Sequence, residues 1–394
     1  MTRQIPFHRP TIGPEEEREV IDTLRSGWIT TGPKAKRLEK DFAAYVGARN
    51  ALAVAHCTGA LHLALFALDI GPGDEIITTP FTFTATAEVM GYLGARPVFV
   101  DIEPDTFNLD PDAIESALAS GRHRKVKAIM PVHFAGQACD MDRIGALARR
   151  YQLRIVEDAA HAVGSQRMIE GRGMVKIGTT GDLTCFSFYA TKNITSAEGG
   201  MITTEDDGLA AKIAVASLHG MDRDAWKRYD ASGSWFYEIH DTGFKYNLSD
   251  VHAAIGVAQL KRADQLMDRR QTIAKAYNDA FRDEPALEIP LTDPAVVHAW
   301  HLYVLRLRPG ALTITRNRFV EILRERGVGT SVHCIPLNTM AFYQNRYGYR
   351  TGDFPIAEEV YSRCLSLPIF PAMSDEDVAY VIESVLAAAR ENRR

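Results

Sequence analysis

Gly181–Met201 reads GDLTCFSFYATKNITSAEGGM, and it sets the frame for the rest of the chain. Thr184–Phe188 is a short run of β-branched and aromatic residues that predicts a strand. A loop carrying Lys192 follows, then Glu198-Gly199-Gly200, and Met201–Thr204 resumes extended structure. Lys192 has small and apolar neighbours on both sides. Desolvation there disfavours the ammonium and leaves a nucleophilic amine. Such an amine suits a Schiff base with an aldehyde. Alone, a lysine in a loop is an ordinary solvated residue, so its companions must decide.

The first companion is Arg154–His161, RIVEDAAH, a strand ending in two carboxylates. Ligands of α/β sheets sit at such carboxyl edges, which makes Asp158 a candidate anion for the site. The second is Cys57-Thr58-Gly59-Ala60 at a strand–helix junction. Free N–H groups and the helix dipole make such a junction an anion site, although an ordinary tight turn reads the same way. The third is Pro80–Thr86, PFTFTAT, whose aromatic rings lie at another strand end. They could stack on a flat ligand or simply fill the core.

Working outward, Asn50–Ala55, Glu75–Thr79, Pro97–Asp101, Ala128–Val132 and Arg154–Glu157 predict further strands. Helices over Gly59–Leu68 and Ala85–Leu93, and one capped by Asp110-Pro111, alternate with them. That alternation predicts an α/β domain with a mostly parallel sheet covered on both faces. The pattern then changes. Ser249–Phe281 predicts one long amphipathic helix. Strands at Trp300–Leu307 and Thr330–His333, a helix over about Thr315–Glu325 and a capped helix after Ser374 follow. The expected organisation is a large α/β domain, 1–248, and a smaller C-terminal α+β domain, 249–394.

Composition narrows the function. The chain has 394 residues, 46% hydrophobic and 24% charged, with net charge -5. No global basic field is present to draw nucleic acid or an anionic membrane. The start, MTRQIPFHRP, lacks the apolar core of a signal peptide, and no apolar run is long enough to span a bilayer. Five scattered cysteines without CxxC spacing point to reduced thiols, a cytoplasmic location and no zinc site.

The segments CTGALHLAL, PFTFTATAE, PVHFAGQACDMD, EDAAHAVGS, SFYATKNITSAEGG and GFKYNLSDVHAAIG, in this order, resemble the DegT-type nucleotide-sugar aminotransferases. The similarity runs from about Pro6 to the final helix. It implies the fold type I architecture of pyridoxal phosphate (PLP) enzymes and PLP as cofactor. By the same resemblance, Lys192 is the Schiff-base lysine and Asp158 the partner of the ring nitrogen. His161 falls near the cofactor's 3-hydroxyl, and Phe83 stacks on its ring. Thr58, Gly59 and Ser187 match phosphate ligands. Asn247 matches a phosphate ligand supplied by a partner subunit, so a homodimer with shared sites is expected. Relatives with His in place of the lysine are dehydratases; Lys192 favours transamination.

The implied reaction moves an amino group from L-glutamate, leaving 2-oxoglutarate, to a nucleotide-linked keto sugar. Within the family, GWITTGPK, KNITSAEGG, KYNLSD and RGVGTSVH are most similar to the subgroup that makes UDP-4-amino-4-deoxy-L-arabinose. Phe83 and the segment KRYDASGSWFYEI depart from that subgroup. His301 and His333 are candidates for the sugar pocket. Arg223, Lys227 and Arg228 are candidates for the diphosphate. A keto-cyclitol or 3-keto dTDP-sugar acceptor, or a PLP-binding regulatory protein without catalysis, are the alternatives.

Overall fold

The computed structural model describes residues 3–221 and 237–394. Its strands are β1 (Asn50–Val54), β2 (Glu75–Thr78), β3 (Arg96–Phe99), β4 (Val126–Ile129), β5 (Arg154–Asp158), β6 (Gln166–Ile169), β7 (Gly173–Lys176), β8 (Leu183–Ser187), β9 (Gly200–Thr204), β10 (Leu287–Glu288), β11 (Val296–Val297), β12 (Tyr303–Leu307) and β13 (Cys364–Leu367). Its helices are α1 (Pro14–Ser26), α2 (Pro33–Val46), α3 (Cys57–Ala67), α4 (Thr84–Tyr92), α5 (Pro111–Ala119), α6 (Met141–Tyr151), α7 (Asp207–Ala216), α8 (Asp250–Lys261), α9 (Ala263–Phe281), α10 (Arg316–Glu325), α11 (Ala341–Tyr347), α12 (Pro355–Arg363) and α13 (Asp375–Glu391).

A seven-stranded sheet in the order β1-β9-β8-β5-β4-β2-β3 forms the large body. The strands from β8 to β3 pair in parallel, while β9 runs antiparallel to both β8 and β1. Because β5 and β8 are parallel neighbours, their carboxyl ends, Asp158 and Ser187, open on the same edge. The loop that leaves this edge after β8 carries Lys192. Helix α3 is apolar nearly all round and lies buried against β8 and β9. Its N-terminus reaches the same edge. Gly200 makes this close approach possible: a Cβ there would sit 2.7 Å from the His56 carbonyl carbon and 2.8 Å from the Cys57 nitrogen.

The smaller body has its own sheet, β10-β12-β13, and an apolar core that includes Tyr277, Phe281, Tyr303, Phe319 and Val385. As a domain division, 1–248 against 249–394 remains our proposal. Several segments straddle it, among them β11, which pairs with β6. Ile5, at the start of the chain, lies in the smaller core and bridges to Val328. Helix α8 packs on α1 and α2. Asp250, its first residue, is buried and accepts from the N–H groups of Gly32, Lys34 and Ala35 at 2.8, 2.9 and 3.0 Å, capping α2.

Three expectations change. The long helix is two, α8 and α9, interrupted at Arg262 (φ -107°, ψ 5°). There the Arg262 guanidinium bonds the buried Glu16 carboxylate at 3.3 Å, while α8 packs into the large body and α9 into the small one. The strand at Trp300 begins only at Tyr303, because Trp300 turns with φ +46°. Thr330–His333 forms a single bridge, Ser331 to Ser366, and no strand.

Candidate active site

A cavity of about 520 Å³ opens at this sheet edge. Thr58, Phe83, Asp158, His161, Ser187, Lys192, His301 and His333 all line it. Burial lowers the affinity of the Lys192 amine for its proton, while Cys57 and Asp158 pull the other way; the net direction is down. Asp158 is buried, and its carboxylate accepts from the Thr86 hydroxyl at 2.7 Å and the Ala160 N–H at 3.1 Å. Burial nevertheless pushes the Asp158 carboxyl above its ordinary range.

Strand alternation sends the neighbouring Glu157 to the opposite face. It does not line the cavity. Its carboxylate accepts from Thr180 and Thr184 at 2.6 and 2.7 Å and from His133 Nε2 at 2.8 Å. His133 Nδ1 accepts the Cys139 N–H at 3.0 Å, which puts the imidazole proton on Nε2. Burial works against the Glu157 charge, but these bonds outweigh it and hold the carboxyl below its usual range.

The other end of the cavity suits an anion. Within the described residues, the N–H groups of Cys57 and Thr58, the first two of α3, have no partner in the chain. Gly59 differs from expectation: it does not line the cavity, and its N–H donates to His56 Nδ1 at 2.8 Å. His56 thus caps α3, a role the sequence concealed because Ser, Thr, Asp and Asn dominate that position. Ser187 Oγ accepts the Tyr189 N–H at 3.3 Å, leaving its own proton to donate. Phe83, the residue before α4, lines the cavity with 72% of its surface exposed, so its ring is available to a flat partner.

Besides His56, four histidines line this cavity with Lys192: His8, His161, His301 and His333. His161 Nδ1 accepts the Ala135 N–H at 3.3 Å, so its proton sits on Nε2. His301 has the opposite arrangement. The Asn193 amide donates to Ala299 at 2.8 Å and Val163 at 3.4 Å, which turns its oxygen toward His301 Nδ1 at 3.2 Å. His301 therefore donates from Nδ1 and keeps a lone pair on Nε2. The two rings lie 4.3 Å apart. His333 meets Ser366 Oγ at 2.9 Å and stacks on Phe7 at 5.6 Å. His8, not singled out from the sequence, donates to the Ala190 carbonyl in the Lys192 loop at 3.1 Å.

These rings are neutral in the folded chain. Burial, then nearby charges, lower His8 from 6.5 to about 4. Burial and Lys192 lower His333 to about 4, and burial alone lowers His298, outside the cavity, to about 3. His161 and His301 are pushed well down for the same reason. The unfolded chain therefore binds protons that the folded one refuses as pH falls below 6.5. Stability contributed by this neutrality is complete above that pH and drains away toward about 4. Asp158, Glu103 and His133, raised in the fold, oppose this as a smaller set. The unfolding midpoint is expected to fall clearly between pH 7 and 5; equal midpoints would contradict these burials.

Asn247 does not line its own chain's cavity. It bridges to Val54, donates from Nδ2 to Thr31 Oγ1 at 2.6 Å and accepts from Lys245. Arg223, Lys227 and Arg228 lie outside the described residues. Among the described residues there is no metal-ligating cluster of three or more His, Cys, Asp or Glu, and no helix long and apolar enough to cross a membrane.

This architecture has close counterparts. The spore coat polysaccharide biosynthesis protein SpsC of Bacillus subtilis is 50% identical over 385 residues, covering 97% of this chain and 96% of that protein. Spr1654 from Streptococcus pneumoniae, solved in PMP and PLP forms, is 34% identical with a TM-score of 0.90, covering 99% of this chain and 98% of that one. Helicobacter pylori PseC, an aminotransferase involved in the biosynthesis of pseudoaminic acid, is 28% identical with a TM-score of 0.88, covering 99% of this chain and all of that one, 100%. The α/β fold of PLP-dependent aminotransferases, expected from the sequence, is the fold of this chain. With the family model matching residues 10–386, the chain belongs to the DegT/DnrJ/EryC1/StrS aminotransferase family.

Proposed function

We propose that this chain is a PLP-dependent sugar aminotransferase that moves an amino group from L-glutamate to the C4 keto group of a UDP-linked sugar, for a cell-surface glycan. The observation that carries it is one cavity holding a half-buried lysine, Lys192, whose amine is desolvated, and a buried carboxylate, Asp158. The names of SpsC and PseC support a sugar as acceptor. The motifs shared with UDP-sugar enzymes support the nucleotide and C4.

The residues fit PLP. Asp158 offers an anion to a protonated ring nitrogen. The first N–H groups of α3, with Thr58 and Ser187, offer donors to a phosphate dianion. Phe83 offers a face to a flat ring, and His161 Nε2–H a donor to a ring hydroxyl. When bound, PLP supplies an aldehyde carbon for the amino group and an electron-accepting ring. Lys192 would hold that carbon at rest. Once displaced by the amino donor, its amine would take the donor's α-proton and return a proton on the sugar leg. Asp158 would keep a proton on the ring nitrogen throughout. His301 Nε2 and His333 would line the sugar pocket, and Arg223 and Lys227 would meet the diphosphate.

Asn247 is proposed to serve the other subunit's phosphate in a homodimer, since it does not line its own chain's cavity. Heterodimers of Lys192→Ala and Asn247→Asp chains would put both lesions in one site and leave the other intact. Each parent homodimer should be nearly inactive, and mixing should restore up to about half the wild-type rate per heterodimer. No recovery despite proven subunit exchange would assign Asn247 to its own chain.

The acceptor is tested by supplying glutamate with UDP- and dTDP-linked 4-keto sugars, a 3-keto dTDP-sugar and a keto-cyclitol, and measuring 2-oxoglutarate. Preference for the UDP-linked 4-keto sugar is expected. Transfer only to the cyclitol would overturn the nucleotide-sugar assignment. No transfer to any ketone by a protein that holds PLP would favour a regulatory role.

A further inference from the structure

Asp158 receives one side-chain hydrogen bond, from Thr86, and that bond is the end of a chain. Thr86 Oγ1 lies 2.7 Å from Asp158 Oδ2, and Thr82 Oγ1 lies 2.7 Å from Thr86 Oγ1. All three residues are buried. The order of donation follows from chemistry. An ionised carboxylate can only accept, so the single Thr86 proton points to Asp158. Thr82 must then donate to Thr86. The arrangement is not a default of the helix. Thr86, in the first turn of α4, commits its proton to the end of β5 and not to a carbonyl of its own segment.

We infer that Thr86, reinforced by Thr82, is a positioning residue that keeps Asp158 ionised, so that the shared proton stays on the group Asp158 faces. The inference rests on the PLP reading above, in which that group is the ring nitrogen. Two positions compete for one proton: the carboxylate and the ring nitrogen. Burial favours the neutral pair, with the proton on Asp158. Each donor to the carboxylate favours the charged pair, with the proton on nitrogen. The Ala160 N–H gives one such bond, at 3.1 Å, and it is fixed by the backbone. Thr86 gives the shorter one and is the part the sequence can change. The other titratable groups around Asp158 are Lys192, His133, Cys57, Cys185 and Cys334, from four different parts of the chain. None of their side chains donates to its carboxylate. Thr82 polarises Thr86 and strengthens its bond without touching Asp158.

The test uses holoenzyme reconstituted with PLP carrying ¹⁵N in its ring, with the nitrogen shift read at neutral pH beside kcat and the KM for glutamate. Thr86→Val keeps the shape and removes the donor. Its ring nitrogen should move toward the unprotonated shift, and kcat should fall about tenfold or more, the worth of one hydrogen bond to a charged group, with KM little changed. Thr86→Ser keeps the donor and should retain the wild-type shift and most of the rate. Thr82→Val should move the shift the same way by less, and it serves as the test if Thr86→Val does not fold. A wild-type shift in Thr86→Val, or in Thr82→Val where that variant stands in, overturns the inference. So does a Thr86→Ser variant as impaired as Thr86→Val, which would mark a packing role. Asp158→Asn separates the two levels. If it leaves the ring nitrogen unmoved, the assignment of Asp158 falls and the inference with it. If it moves the nitrogen while Thr86→Val does not, only the inference falls.

Discussion

Lys192→Ala is expected to abolish turnover while leaving a folded protein that still binds PLP. The amine at this position is asked to do two things: to hold the cofactor carbon at rest, and to carry a proton between carbons in each half-reaction. Proton transfer by a positioned group is alone worth about 10²–10⁴ in rate. Among the described residues, no other lysine lines the cavity. His161 and His301 are neutral and fixed by the Ala135 N–H and the Asn193 oxygen. His8 is committed to the Ala190 carbonyl. Noncovalent binding should persist, because Asp158, Thr58, Ser187 and Phe83 are untouched. Steady-state assay with glutamate and a keto sugar checks this; a rate within tenfold of wild type would remove Lys192 from the chemistry.

Asp158→Asn should lower the rate by roughly three orders of magnitude with the fold intact, by analogy with the loss of one preorganised electrostatic contact in other sites. The substitution is nearly isosteric. The asparagine oxygen can still accept from Thr86 or Ala160, but the negative charge beside the ring is gone. Glu157 cannot substitute. It lies on the opposite face of β5 with its carboxylate held by His133, Thr180 and Thr184. A loss smaller than about tenfold would therefore mean that the ring nitrogen needs no anionic partner in this enzyme.

The large sheet was legible because its strands are short, β-rich and punctuated. Val156 and Phe186 are buried as such strands require, and Asp110 caps α5 by accepting the Asp112 N–H at 2.8 Å. The C-terminal third was less legible. Ser249–Phe281 keeps a helical pattern across Arg262, and nothing local shows that its two halves join different cores. Trp300 belongs to a strand-like run, yet tertiary packing holds it at φ +46°. The cavity followed the sequence where strand ends fix direction: Asp158, Ser187 and Lys192 converge because β5 and β8 are parallel neighbours. His8 and His56 were missed for a physical reason. One arrives from a distant segment, tied beside Gly327 and Gly329 through Ile5. The other caps a helix with a residue type rarely used for that purpose. Gly59 was expected to face the anion directly, and its N–H is instead taken by that same histidine.

PLP is expected to be held on Lys192. The purified holoenzyme should be treated with borohydride, digested and mapped by mass spectrometry. Reduction is expected to leave the cofactor covalently attached to one peptide, the one containing Lys192, and Lys192→Ala should show no attachment anywhere. Stable attachment at a different lysine in the wild-type protein, or none at all in protein that binds PLP and is active, would contradict the assignment of Lys192 and the active site built around it.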